Sequence, residues 1–160
     1  LPVFDHKKSG GALMDLNVYH IHFIVGLFGA SNKVNYIANI EKDIDTSGIL
    51  TLEYKDFQAV ATAAKDSQAP AYINIQGDGA YLHSNKPANV FNEFFVEDTE
   101  GNRKNYKLSE VNNRLYHQLV FFNSLLNSND LKRARDLNDQ TLAVMKILDE
   151  ARNQVGIKIY

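Results

Sequence analysis

Three side chains spaced one helical turn apart hold the first chemical content of this sequence: Asp15, Tyr19 and His22, in the stretch SGGALMDLNVYHIHFIVGLFG over residues 9–29. At about 100° per residue, these three together with Gly26 and Gly29 lie within about 40° of one line on a helix. A carboxylate, a phenol and an imidazole on one face can hold a hydroxyl group and manage its proton. Glycine at the far end lets a ligand or another chain come close. The same stepping puts Met14, Val18, Ile21, Val25 and Phe28 on a second, apolar line, expected to face the core. From spacing alone a structural reading also stands, in which Tyr19 and Asp15 satisfy each other in a core and His22 faces solvent.

Other candidates are weaker. His20 and His22 are two positions apart, about 200° on a helix, so their rings diverge and do not make a metal pair. His6, His83 and His117 are scattered and read as surface or satisfied core residues, and no metal site is expected. Gly77-Asp78-Gly79 lacks the third glycine of a dinucleotide loop, and the strand-like AYLHSN follows it where such a loop needs a helix. It reads as a hairpin turn. Ser9 has no nucleophile-elbow pattern around it.

The elements that must position the Asp15 line follow from periodicity. A helix is predicted over 12–28, with Ser9 as N-cap and Gly29 as its stop. From Lys33 the period changes from 3.6 to 2: KVNYIANIE reads as a half-buried strand. GILTLEY with FQAVATAA, AYINIQ with AYLHSN, and VFNEFFVED with KNYKL read as three hairpins. Helices are predicted over 113–126 and 139–155, the polar NSNDLKRARDLND between them as a solvated connection, and IKIY as a terminal strand. Strands grouped together with helices at the ends indicate an α+β fold, with a mostly antiparallel open sheet covered by helices on one face.

At 160 residues the chain is long enough for a real core, and its net charge of −2 argues against a general nucleic-acid binder. The absence of cysteine excludes disulfides and thiolate chemistry and suits a reducing cytoplasm. The longest apolar run, 21–30, is too short for a bilayer and is interrupted by His22, so no membrane span is expected; nor is a signal peptide visible. The opening LPVFDHKKSGG, without Met, reads as the middle of a longer protein cut at a domain boundary, or else as a processed terminus.

The segment GGALMDLNVYHIHFIVGLFG resembles the signature helix of the Gfo/Idh/MocA oxidoreductases: a glycine run, then Asp-x-Gly-x-His or Tyr, then Asp or Asn three further on. DIDTSGILTLEY resembles the family's Asp-Thr before its first long hairpin, and IQGDGAYLHSNKPANVF its turn, strand and proline. YHQLVFFNSLLN and LNDQTLAVMKILDEARNQVGIKI resemble its closing helices and final strand. The resemblance implies that residues 1–160 are a C-terminal substrate-binding and oligomerisation domain, similar to that of glyceraldehyde-3-phosphate dehydrogenase. The N-terminal Rossmann domain, with its GxGxxG loop and Glu-Lys-Pro lysine, would be absent from this chain.

It also implies the roles. The family Asp falls on Asp15 and the catalytic His or Tyr on Tyr19, as in the subgroup that includes dihydrodiol dehydrogenases and glucose–fructose oxidoreductase. Two positions depart from the pattern: Asn17 stands for the glycine and His22 for the Asp or Asn, both expected near substrate. The implied function is oxidoreduction of a secondary alcohol on a sugar, cyclitol or diol. NAD or NADP would be bound mainly by the absent domain, and the chain alone would be inactive. A phenol ionises near pH 10 in water, so a base at Tyr19 needs a nearby cation, for which the resemblance offers the upstream lysine. A non-catalytic ligand-sensing or regulatory protein of the same fold is the alternative. Either reading leaves the second sheet face, with Thr51, Glu53 and Asn74 or their opposites, to be buried in a homodimer or higher assembly.

Overall fold

The computed structural model describes residues 10–111, 113 and 115–158. The glycine-rich segment enters a π-helical turn, Leu13–Asn17, which continues as helix α1, Val18–Phe28. Gly29, at φ 78°, ends it by donating its N–H to the Val25 carbonyl. Ser9 lies outside the described residues. Strands β1 (Lys33–Glu41), β2 (Ile44–Glu53) and β3 (Gln58–Ala64) then form an antiparallel sheet in the order β1-β2-β3. Lys42 and Asp43, both at positive φ, make the tight turn between the first two.

The period-2 pattern sorts the faces of this sheet as expected. Val34, Tyr36, Leu50, Leu52 and Ala61 are buried on one face. Against them pack Leu13, Ile21, Ile24 and Val25 from the first helical segment, and Val144, Ile147, Leu148 and Ala151 from helix α3, Leu131–Gln154. Ile37, Ile49 and Val60 lie exposed on the other face. Within this sheet the helices therefore cover one side only. The outer edge of β1 is closed by a side chain: Gln154 accepts from the Tyr36 N–H and donates to the Val34 carbonyl, both at 2.8 Å, as a neighbouring strand would.

The remaining strands, β4 (Ile73–Gln76), β5 (Ala80–Ser84), β6 (Glu93–Asp98) and β7 (Arg103–Lys107), form a second antiparallel ladder in sequence order. The three expected hairpins are thus present, but the strands divide between two sheets. The chain falls into two compact units, residues 69–133 in one and the flanking parts in the other. Helix α2, Tyr116–Ser128, belongs to the middle unit.

Two expectations are corrected. The polar segment 127–139 is mostly helix, because α3 begins at Leu131. Asn129, in the left-handed conformation, ends α2, and the Asp130 carboxylate then accepts from the Arg133 N–H as an N-cap. Its polarity marks an exposed helix of good helix formers, not a loop. IKIY makes no strand over Ile157 and Lys158, and its last two residues lie outside the described ones. Gly156 turns the chain at φ 74°, and the Ile157 N–H bonds back to the Arg152 carbonyl, so these groups close the helix end.

One buried carboxylate joins the first helical segment to the sheet. Asp45, 1% exposed on β2, accepts from the Leu13 N–H at 2.5 Å and from the Tyr36 hydroxyl at 2.6 Å. Leu13 opens the helical segment, so Asp45 satisfies one of its orphan N–H groups from 32 residues away. Two glycines make the room. A Cβ at Gly11, where φ is +129°, would overlap the Asp45 carboxylate, and one at Gly48 would overlap the Tyr36 hydroxyl and ring. Burial pushes the Asp45 carboxyl up, opposed by its bonds from Tyr36 and Leu13 and by the charge of Lys65; burial and Asp45 together push the Tyr36 phenol up.

Replacing Asp45 with Ala leaves both buried donors unpaired and is expected to cost about 2–5 kcal/mol in chemical unfolding, with Asp45→Asn, which keeps one acceptor, less damaging. On the sheet, Leu50→Ala is expected to cost about 2–5 kcal/mol, which urea midpoints measure directly.

Candidate active site

The first helical segment is apolar enough to be held on one side by the core, and this decides what its other side presents. Tyr19 is 47% exposed, and the Asp15 side chain is 45% exposed. His22 is half-buried, and burial holds its imidazole below the ordinary value, hence neutral at pH 7. All three side chains are at least partly accessible. Gly26, on the same line, faces α3: a Cβ there would lie 3.1 Å from Gln140 Nε2. The close approach that this glycine permits is therefore made by the chain itself.

The buried line sits one residue earlier than ideal stepping predicts. The shift is confined to the start of the helix, where Leu13 and Asn17 are buried and Met14 and Val18 only partly so; Ile21 and Val25 are buried as predicted, with Ile24 beside them, and Phe28 is exposed. The cause is the π-helical first turn, wider than an α-turn, together with the Asp45 bond that draws Leu13 onto the sheet. Asn17 consequently points into the core at 0% exposure, away from Asp15, Tyr19 and His22. Its Oδ1 lies 2.8 Å from His20 Nδ1, which makes that ring nitrogen the donor. His20 thus has a partner, and burial lowers its basicity too.

Sequence reasoning did not single out Lys65. It follows β3 directly, its side chain is 6% exposed, and its Nζ donates to Asp15 Oδ2 at 2.8 Å across 50 residues. Its position is set by the sheet. The Lys65 N–H donates to the Thr46 carbonyl at 2.7 Å, and the next residue, Asp66, accepts from the Thr46 and Ser47 hydroxyls at 2.8 and 3.0 Å. Asp45, Thr46 and Ser47 therefore anchor both the helix that bears Asp15 and the strand end that bears Lys65. The only sequence sign was indirect: Lys65-Asp66 abruptly ends the apolar FQAVATAA run, and the Asp-Thr of DIDTSG lies at the start of the hairpin.

The other candidates stay apart. His83 is half-buried between Asn74 and Asn85, and His117 Nε2 meets Ser109 Oγ at 2.5 Å; His6 lies outside the described residues. Gly77 begins a hairpin turn, its N–H on the Ala80 carbonyl at 3.0 Å, with no helix to receive a pyrophosphate. Among the described residues no group of three or more acidic or His side chains could hold a metal, and no helix is long and apolar enough to cross a membrane. The arrangement that remains offers an oriented carboxylate as hydrogen-bond acceptor, a phenol as proton donor or acceptor, and a neutral imidazole.

No protein-family model matches the chain. Individual proteins do. Over 162 aligned positions the chain is 31% identical to scyllo-inositol 2-dehydrogenase (NADP(+)) IolU of Bacillus subtilis (strain 168), covering 98% of this chain and 48% of that protein. It is 25% identical over 155 positions to the uncharacterized oxidoreductase YgjR of Escherichia coli (strain K12), covering 96% and 46%. Among solved structures, the probable oxidoreductase yhhX shares the fold with a TM-score of 0.64 at 17% identity, over 96% of this chain and 52% of that one. Another, assigned as an oxidoreductase of Klebsiella pneumoniae, has a TM-score of 0.63 at 16% identity, over 89% and 46%. The chain spans about half the length of the curated relatives it matches, and these likenesses are consistent with a C-terminal fragment of an oxidoreductase of the Gfo/Idh/MocA kind that its signature helix resembles.

Proposed function

We propose that this chain is the C-terminal, substrate-side domain of an NAD(P)-dependent oxidoreductase that acts on a secondary alcohol of a cyclitol, sugar or diol. The observation that carries this reading is the pairing on one accessible helix face of Asp15, held by Lys65, with the exposed Tyr19 hydroxyl one turn on. The likeness to a protein named for scyllo-inositol and NADP(+) supports both the substrate class and the cofactor class.

In this reading the described residues hold no dinucleotide loop, and the nicotinamide, which accepts or returns the hydride, belongs to a separate Rossmann domain. The residues of this chain act on the hydroxyl. Asp15 accepts a hydrogen bond from the substrate and orients it. Tyr19 Oη takes the proton of the reacting hydroxyl as the alcohol is oxidised and returns it in the reverse direction. His22, neutral and half-buried, takes a neighbouring hydroxyl as donor or acceptor. The family's carboxylate or amide at that position would offer a different set of bonds, so His22 is a site of substrate discrimination. Zero cysteines suit a cytoplasmic enzyme.

The open face of the first sheet belongs to the same reading. Ile37 (74% exposed), Ile49 and Val60 form an apolar patch interleaved with Asn35, Thr51 and Thr62, and a second copy would cover it in a homodimer.

In the full-length protein, Tyr19→Phe is expected to lower turnover of the best polyol by about 100-fold or more, the usual contribution of a general acid–base group. A loss within about threefold would reject the proton-transfer role. Light scattering at micromolar concentration is expected to give a dimer or larger species that Ile37→Lys shifts to monomer, because a lysine there would place charge in an apolar interface.

A further inference from the structure

Six ion pairs hold side chains together among the described residues, and one differs in kind. In five of them the cation is well hydrated: Lys33, Lys86, Arg103, Lys107 and Arg152 have side chains 21–61% exposed. Such pairs contribute little and fix little. The Lys65 side chain is 6% exposed, while its partner Asp15 is 45% exposed. A lysine normally extends its ammonium to water along its stem, and an ammonium is kept from water only where carboxylates compensate it. Here the buried cation sits beneath an accessible carboxylate.

The mounting of that cation is rigid. The backbone of Lys65 continues the ladder to Thr46, and Asp66 is tied to two hydroxyls of β2. The helix that bears Asp15 is tied to Asp45 of the same strand. Both ends of the Lys65–Asp15 pair are therefore referred to three consecutive residues, Asp45, Thr46 and Ser47. Lys65 Nζ occupies Asp15 Oδ2 from the protein side, which leaves Oδ1 to accept from outside.

We infer that Lys65 is a positioning residue of the substrate site, whose ammonium fixes the Asp15 carboxylate so that its second oxygen receives a hydroxyl of the polyol or sugar. This rests on the function proposed above. It assigns a role within this chain to a lysine distinct from the one that the family resemblance places upstream. Without the ammonium, Asp15 keeps its charge but not its orientation, so substrate binding suffers more than the chemical step.

The test uses the full-length protein with NAD and NADP against a panel of inositols, hexoses and vicinal diols, comparing wild type with Lys65→Met, Lys65→Arg, Asp15→Asn, Tyr19→Phe and the Lys65→Met/Asp15→Asn double variant. For the best polyol, Lys65→Met is expected to raise KM roughly tenfold or more while kcat and the nicotinamide KM change by less than about threefold. Lys65→Arg is expected to restore KM to within about threefold, and the double variant to be no worse than Asp15→Asn, because the two residues act as one unit. Melting curves of each variant separate this from loss of fold; Lys65→Gln replaces Lys65→Met if the latter is insoluble. If wild type is active and Tyr19→Phe is slow, but the KM of Lys65→Met stays within about threefold or the two single effects multiply, the positioning role is overturned alone. If no neutral variant of Lys65 folds, it is overturned as well, since the lysine then serves folding first. If wild type turns over none of the panel, or Tyr19→Phe is unimpaired, the proposed function falls and this inference with it.

Discussion

A carboxylate kept from water must be compensated, and in this protein the compensation of Asp45 organises everything near the site. Its two nearest donors are a backbone N–H at the start of the first helical segment and a phenol on the adjacent strand. Both bonds go to a carboxyl in a poorly solvated place, where hydrogen bonding is strong and its loss costly. Satisfying Asp45 requires the helical segment to begin at one spot on the sheet. It also requires Gly11 and Gly48, because any Cβ there would occupy the space of the Asp45 carboxylate or the Tyr36 ring. The widened first turn follows from the same constraint: Leu13 is held on the sheet, and Asn17 is drawn in behind it.

From Asp45 outward the charges alternate in sign and rise in exposure: a buried carboxylate, a buried ammonium at Lys65, a half-exposed carboxylate at Asp15. The charge of Lys65 favours ionised Asp45 as well. Lys65 Nζ holds the Asp15 carboxylate, which keeps an accessible side. Groups held this way lose little freedom when a ligand arrives, which suits the hydroxyl-orienting role proposed for Asp15. The Asp-Thr-Ser stretch of β2 matters for this reason, although none of its side chains is exposed on the Asp15 face: Asp45 and Thr46 are buried, and Ser47 holds Asp66.

The unit formed by residues 69–133 has its own internal logic. On one face of its ladder Arg103 pairs with Glu97 at 2.7 Å and lies 3.8 Å from the Phe95 ring centroid, while Tyr81 donates to Glu97. On the other face Phe94 stacks with both Phe91 and Tyr106. Cross-strand pairs of this kind set the register of strands too short and too exposed to be fixed by a deep core.

The local features were legible because local periodicity produces them. The alternation in KVNYIANIE assigned the buried and exposed faces of β1, and Gly77–Gly79 was recognisable as a turn from its composition and the strand behind it. Where reasoning relied on an ideal helix it was off by one residue over the first turn of the buried line, because the angle per residue in a π-turn is not that of an α-helix, while Ile21 and Val25 further on are buried as predicted. Where it equated polarity with a loop, at residues 127–139, it missed a helix whose cap, Asp130, was present in the sequence. The sequence by itself determined the α+β class and the three hairpins with their strands and turns. Only the tertiary structure decided that Asn17 is core, that Asp45 starts the helix, and that Lys65 stands behind Asp15. The partners of these residues lie tens of positions away, and a buried charge takes its meaning from whatever the fold brings to it.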